Sequence, residues 1–361
     1  MITTYRLRFP LMFLGMLSLI AGLWAGLSRL GWDIPEIRAE LFTLHGPLMI
    51  CGFLGTVIGL ERAAALDRPW TYLAPFLSGI GSIITILTSY HNTGRLLITI
   101  SSLLFVIVFI AILRRQFAPF TVTMGIGALL WLTGNIFWLF GYPIYLIIPW
   151  WAGYLILTIA GERLDLSRLL APSRSSYIIF FSAIVLFLAG IIYSIFNPDT
   201  GIRVLGLGIL ALTVWLVLHD IATKTVRQQG LTRFVAVCLL SGYFWLGVSG
   251  LLTLYSGKLV PVTVMYDAIL HSLFLGFVFG MIFGHAPIIF PAVLKVQILY
   301  SPLFYLHFAL LQASLLIRIT GDITSSTSAF MWGGLLNVVS LMLFLANTVA
   351  GGIRGLISQK A

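Results

Sequence analysis

The feature that most constrains this chain is the recurrence of apolar runs about 20 residues long, which is the length of α-helix needed to cross a ~30 Å hydrocarbon layer. Twelve are present, at about 9–30, 38–60, 70–90, 95–113, 119–140, 142–161, 176–196, 203–222, 232–256, 262–286, 299–319 and 329–351. In lipid, backbone N–H and C=O groups must be bonded within the segment itself, so each run is read as a helix. Only 9% of residues are charged, against about 25% in soluble domains, and mean hydropathy is +1.05. The expected fold is an all-α polytopic transmembrane helix bundle of about 12 spans, forming a single integral membrane domain over 1–361 in the cell (plasma) membrane. The run at 9–30 follows Arg6 and Arg8 but lacks a small-residue cleavage site, so it is read as a span and not as a signal peptide. No connecting loop has the length of a soluble domain, which leaves function to the bundle interior and its two faces.

Lys and Arg set the orientation. With the N-terminus inside, the inner segments hold fifteen (Arg6, Arg8, Arg62, Arg68, Arg114, Arg115, Arg163, Arg168, Arg174, Lys224, Arg227, Arg233, Lys295, Arg354, Lys360). The outer segments hold six (Arg29, Arg38, Arg95, Arg203, Lys258, Arg318). This asymmetry predicts both termini inside. It also accounts for the net charge of +10 without a nucleic-acid partner, since no long basic run exists. The two cysteines, Cys51 and Cys238, lie in apolar runs, which excludes a disulfide framework and a cysteine-rich metal site. The bilayer is the one certain partner class; the sequence leaves the oligomeric state open.

Six histidines are the chemistry-bearing residues. His91 is read as a solvated loop residue, and His219, before Asp220, as a helix-end residue. The other four, His45, His271, His285 and His307, fall inside apolar runs. Ionisable groups there are costly and mark ligand, ion or proton sites, although one such histidine is also explained by a bond to a neighbouring helix. His45 opens the face His45–Met49–Gly52–Thr56–Gly59 on span 2. On span 10, Ser272, Gly276, Gly280 and Gly284 recur every four residues. Such small residues serve close helix contact or leave room for a flat macrocycle, and the residues alone keep both readings open.

Spans 2 and 10 run in the same direction, and His45 and His271 lie at similar depth. Two imidazoles at one depth are what a bis-histidine haem needs. Haem b between these spans is therefore expected, with Gly52 and Gly276 beside it, Met49 on the His45 face, and Asp267, one turn before His271, as the group that fixes the ligand ring. His285 lies fourteen residues after His271. On an ideal α-helix that places both on roughly one side, about 21 Å apart, too far for one iron. Pro287 and Pro291 are expected to bend or break the helix just beyond it. His307 enters span 11 from the same side, so His285 and His307 are candidates for copper or a second haem, with Met281 as a possible soft ligand.

The histidine–glycine motif opening span 2 ("LHGPLMICGFLG"), the "LHSLFLGFVFGMIFGH" of span 10 and the twelve spans together resemble the NnrS family. Those are haem- and copper-containing membrane proteins associated with resistance to nitric oxide. That family is distantly similar to the catalytic subunit of haem-copper oxidases, whose helices two and ten supply low-spin haem ligands, the places of His45 and His271 here. The resemblance implies electron transfer or handling of nitric oxide or another diatomic gas, with a redox donor or gaseous ligand as partner. Spans 6 and 7 carry no histidine, which opposes an oxygen-reducing centre of the oxidase kind. Two other readings stand beside this one: a proton-coupled secondary transporter without haem, using Asp267 or Glu61, and an assembly subunit whose histidines only join helices.

Overall fold

The structure is a computed structural model that describes residues 5–35, 38, 40–88, 91–261 and 263–358. Among these, twelve helices are long and apolar enough to cross a membrane: α1 Arg6–Arg29, α2 Leu41–Leu66, α3 Pro69–Leu87, α4 Asn92–Arg115, α5 Pro119–Leu139, α6 Ile144–Leu170, α7 Arg174–Tyr193, α8 Pro198–His219, α9 Gly230–Ser256, α10 Val264–Leu294, α11 Phe304–Thr324 and α12 Thr327–Ser358. Each coincides with one expected run, and the chain is a multi-pass membrane protein. Large apolar side chains left facing outward, such as Phe13, Leu87, Val185 and Leu218, have lipid as their solvent.

Three local expectations change. The backbone of His91, read as a loop residue, already begins a helix, His91–Arg115. α10 continues through Pro287 and Pro291 to Leu294 instead of breaking. Proline deletes one N–H and crowds one carbonyl, but a membrane helix survives this where neighbours satisfy the freed groups. Near its end, the Val293 carbonyl accepts from Arg8 Nη1 at 3.0 Å. Finally, α11 ends at Thr324, five residues past the apolar run, so Arg318 lies within the packed helix and not in an outer loop.

The chain divides into two compact units. The first runs to Gly161 and includes Ala292–Lys295; the second is Glu162–Pro291 with the chain from Val296 onward. In the first unit, glycines let helix backbones and bulky rings approach. Gly52 of α2 faces Ser18 and Ser82, a Cβ on Gly127 of α5 would stand 3.0 Å from the Tyr154 carbonyl, and Trp131 stacks on Tyr154 at 5.0 Å. Asn135, fully buried, accepts from Trp151 Nε1 at 2.9 Å. In the second unit, α8 packs on α9 through Gly206, where a Cβ would stand 2.6 Å from the Leu254 nitrogen. α9 packs on α10 through Gly276 and Gly284, which meet Trp245 and Cys238, and α11 packs on α12 through Gly321 and Gly333.

Two stretches are wound as π-helix, Leu48–Leu54 in α2 and Ser272–Phe279 in α10. The wider i→i+5 turn appears directly where Gly55 N–H donates to the Ile50 carbonyl. It also turns carbonyls toward neighbours. Ser78 Oγ donates to the Cys51 carbonyl at 2.7 Å, and Ser249 Oγ to the Ile269 carbonyl, just before the second stretch, at 3.1 Å. Each π residue advances less around the axis than an α residue. The α-helical arithmetic placing His271 and His285 on one side therefore does not hold across the eight residues of Ser272–Phe279.

The glycine contacts are directly testable. Gly206→Ala forces a methyl onto α9 backbone and is expected to cost about 1–3 kcal/mol, read as a lower midpoint of thermal unfolding in detergent. At Gly46 nothing lies within 4 Å of an added Cβ, so Gly46→Ala is expected to leave the midpoint unchanged or slightly raised.

Candidate functional site

In the first unit, a 3-10 turn, Leu41–Leu44, delivers His45 to the start of the α-helical part of α2. Its Nδ1 lies 2.7 Å from the Gly22 carbonyl of α1. A carbonyl only accepts, so Nδ1 carries the proton and the ring's lone pair is on Nε2. The approach depends on two glycines of α1. A Cβ on Gly26 would stand 3.0 Å from His45 Nδ1, and one on Gly22 2.7 Å from Met49 Sδ. Met49, expected to support His45, instead packs over Gly22, which holds the carbonyl that His45 uses.

In the second unit, His271 ends the first α-helical stretch of α10. Its Nδ1 faces the Asp267 carbonyl oxygen at 3.0 Å and the Asp267 carboxylate Oδ2 at 3.1 Å. Both are acceptors, so this ring too carries a proton on Nδ1. The support expected from Asp267 is present as geometry. Arg318 of α11 donates from Nε to Asp267 Oδ2 at 2.8 Å and from Nη2 to Oδ1 at 2.9 Å, a bidentate pair. Its guanidinium also lies over the Phe330 ring at 5.2 Å. One turn further along α11, Asp322 is 3% exposed, with Asp267 among its charged neighbours.

The glycines assigned to a macrocycle face are filled by protein. Gly52 abuts Ser18 and Ser82, and a Cβ on Gly276 would run into Trp245, whose Nε1 donates to Gln312 Oε1 at 2.7 Å. Both positions serve helix contact, the other of the two uses open to them in sequence.

His285 donates from Nδ1 to the Met281 carbonyl at 2.7 Å. Its charged neighbours are Glu162, Arg163 and Asp220. Asp220 is itself answered by Tyr243 OH at 2.8 Å, by the Ala222 N–H at 2.7 Å and by Arg163 at 3.5 Å. Met281 packs its methyl against Gly242. His307 differs in kind: Asn347 Nδ2 donates to its Nδ1 at 3.0 Å, which puts the ring proton on Nε2. Four phenylalanines, Phe234, Phe283, Phe304 and Phe344, surround the ring, Phe283 closest at 4.8 Å. Among the described residues no three His, Cys, Asp or Glu side chains converge as a metal-ion donor set. His285 and His307 are held by different partners, the Met281 carbonyl and the Asn347 amide.

Sequence reasoning missed Arg318 and Asp322. Their signal was present, an i,i+4 charged pair in "LLIRITGDIT", but the hydropathy boundary at 319 placed Arg318 at a span's edge. It also missed Gly22 and Gly26, because the glycines that admit His45 belong to the neighbouring helix.

The chain belongs to a family described as a domain of unknown function (DUF8744), which matches residues 8–352. A comparison with curated proteins finds no match.

The Asp267–Arg318 pair makes a sharp prediction. Arg318→Leu strips Asp267 of two charge-assisted donors beside a second carboxyl and is expected to cost about 3–5 kcal/mol. Arg318→Leu combined with Asp267→Asn is expected to recover more than half of that loss, measured by chemical unfolding in detergent.

Proposed function

We propose that this chain is a haem-binding protein of the cell membrane, with His45 and His271 as imidazole ligands of haem b iron, working in electron transfer or in handling nitric oxide or another diatomic gas. One observation carries this reading. Both histidines have Nδ1 committed to a fixed acceptor, Gly22 O for His45 and Asp267 for His271. This is the second-shell arrangement that sets the tautomer and orientation of a metal-bound imidazole. The donor chemistry therefore fits haem, although Gly52 and Gly276 contribute no space to it. The resemblance of the span 2 and span 10 motifs to NnrS-like proteins supports the same reading.

Bound haem would supply one-electron redox chemistry; the chain's own residues set the ligands. The Gly22 carbonyl orients His45. The Asp267 carboxylate orients His271, and Arg318 holds both oxygens of that carboxylate. His45 and His271 would hold the haem iron, and an iron held by two imidazoles would favour electron transfer over gas binding.

One finding favours the alternative of a proton-coupled transporter without haem. Asp322 adds a second buried acid beside Asp267, where the sequence offered few intramembrane acids.

Absorbance separates the two readings. Protein purified from haem-replete cells is expected to show reduced-minus-oxidised and pyridine haemochrome spectra of haem b. His45→Ala and His271→Ala should each abolish them, His285→Ala should not, and Asp267→Asn should weaken haem retention about 10–100-fold. Folded but colourless protein overturns the haem reading and leaves the transporter.

A further inference from the structure

A polar cavity of about 550 Å3 opens in the second unit where α9 and α11 begin. It is lined by Gln229, Gly230, Arg233 and Val237 at the start of α9, by Tyr300 in the segment leading into α11, and by Tyr305 in the first turn of α11. Both tyrosine rings are anchored on buried aromatic side chains. Tyr305 meets the fully buried Phe234 edge to face at 5.1 Å. Tyr300 stands 5.8 Å from Phe304 and 6.1 Å from Phe234. Among the described residues, neither hydroxyl, nor the Arg233 guanidinium, nor the Gln229 amide has a hydrogen-bond or ion-pair partner.

A single tyrosine or arginine at a membrane interface needs no ligand. Here four donor-bearing side chains surround one cavity, and no acid is among them. From residue 221 to 361 the sequence holds only two acids, Asp267 and Asp322. Asp267 opens α10 and Asp322 closes α11, on the opposite face from the starts of α9 and α11. The cavity therefore offers positive charge and several N–H and O–H donors to an anion rich in acceptor oxygens. The arginine fork matches two oxygens of a phosphate, and the phenol hydroxyls are left for the others. Depth adds a second selection. Val237 lies seven residues along α9 from Gly230, ~10 Å further toward the bilayer interior. The cavity thus has a charged mouth and an apolar floor.

We propose that this cavity is a binding site for a glycerol phosphate group: Arg233 holds two phosphate oxygens, Tyr300 and Tyr305 donate their hydroxyls, and Val237 takes the adjoining carbon chain. That group occurs both as the headgroup of an anionic lipid and as a soluble ester. The Lys and Arg asymmetry assigns this end of the helices to the inner face, where anionic lipids meet basic residues. The site shares no residue with the proposed haem ligands, so it stands whether the protein is a redox protein or a carrier.

Thermal unfolding of the full-length protein in a neutral detergent tests it, with phosphatidylglycerol, phosphatidylcholine and soluble glycerol phosphate as probes. A ligand of the folded state raises the midpoint. Wild type should gain with phosphatidylglycerol, with glycerol phosphate, or with both, and the probe that acts identifies the source. Phosphatidylcholine, whose choline cation offsets the phosphate charge, should raise it less. Arg233→Gln, at an exposed position, should keep the midpoint of the unliganded protein and lose the gain. Tyr300→Phe with Tyr305→Phe keeps both rings and should weaken apparent affinity about tenfold or more. Arg227→Gln, at an exposed arginine outside the cavity, should retain the gain. No gain from either anionic probe overturns the proposal, as does a gain that Arg233→Gln retains or that Arg227→Gln loses equally. The readout uses no visible absorbance, so failure here is separate from failure of the haem reading.

Discussion

Inside hydrocarbon a polar group has no water to fall back on, so each ionisable side chain carried into a membrane helix must be answered by another part of the chain. The Asp267–Arg318 pair is that constraint at its strongest here. Neither charge is affordable alone, and both oxygens of Asp267 are taken by one guanidinium. The pairing pins α11 to the start of α10 and fixes which face of each is inward. It then places His271, one turn along, with its Nδ1 on the same carboxylate. A single carboxylate thus joins α10 to α11 and meets the His271 ring. The same rule operates at Asp220, where Tyr243, Arg163 and a backbone N–H converge on one buried carboxylate.

The π turns follow from a related demand. A wider turn misaligns carbonyls from the helix axis, and in lipid each misaligned carbonyl needs a donor. Cys51 finds Ser78 and Ile269 finds Ser249. In both units a histidine precedes the π stretch, by three residues for His45 and by one for His271. A π turn re-aims the side chains around it, and here each π stretch follows one of the two histidines.

Twelve spans could be read from the sequence because hydropathy over about 20 residues is a direct record of bilayer thickness. The His271–Asp267 contact could be read because it is local, an i,i+4 relation on one helix. What could not be read was set by neighbours. Gly22 and Gly26 look like ordinary span 1 residues until His45 is seen against them. The glycines of α2 and α10 invite a cofactor in sequence, but Trp245, Ser18 and Ser82 fill the space in three dimensions. Pro287 and Pro291 suggest a break, yet the helix continues. Arg318 was counted as a topology charge because an apolar run ends where mean hydropathy falls, while the helix itself runs on to Thr324.

The two oriented histidines are not electrostatically alike. His45 donates to the neutral Gly22 carbonyl of the neighbouring helix. His271 donates to a carboxylate whose strength as an acceptor depends on what else holds it. Arg318 already draws on both oxygens. Arg318 is therefore coupled to the imidazole through the carboxylate that both of them hold, and a donor lost from Asp267 strengthens its hydrogen bond with Nδ1.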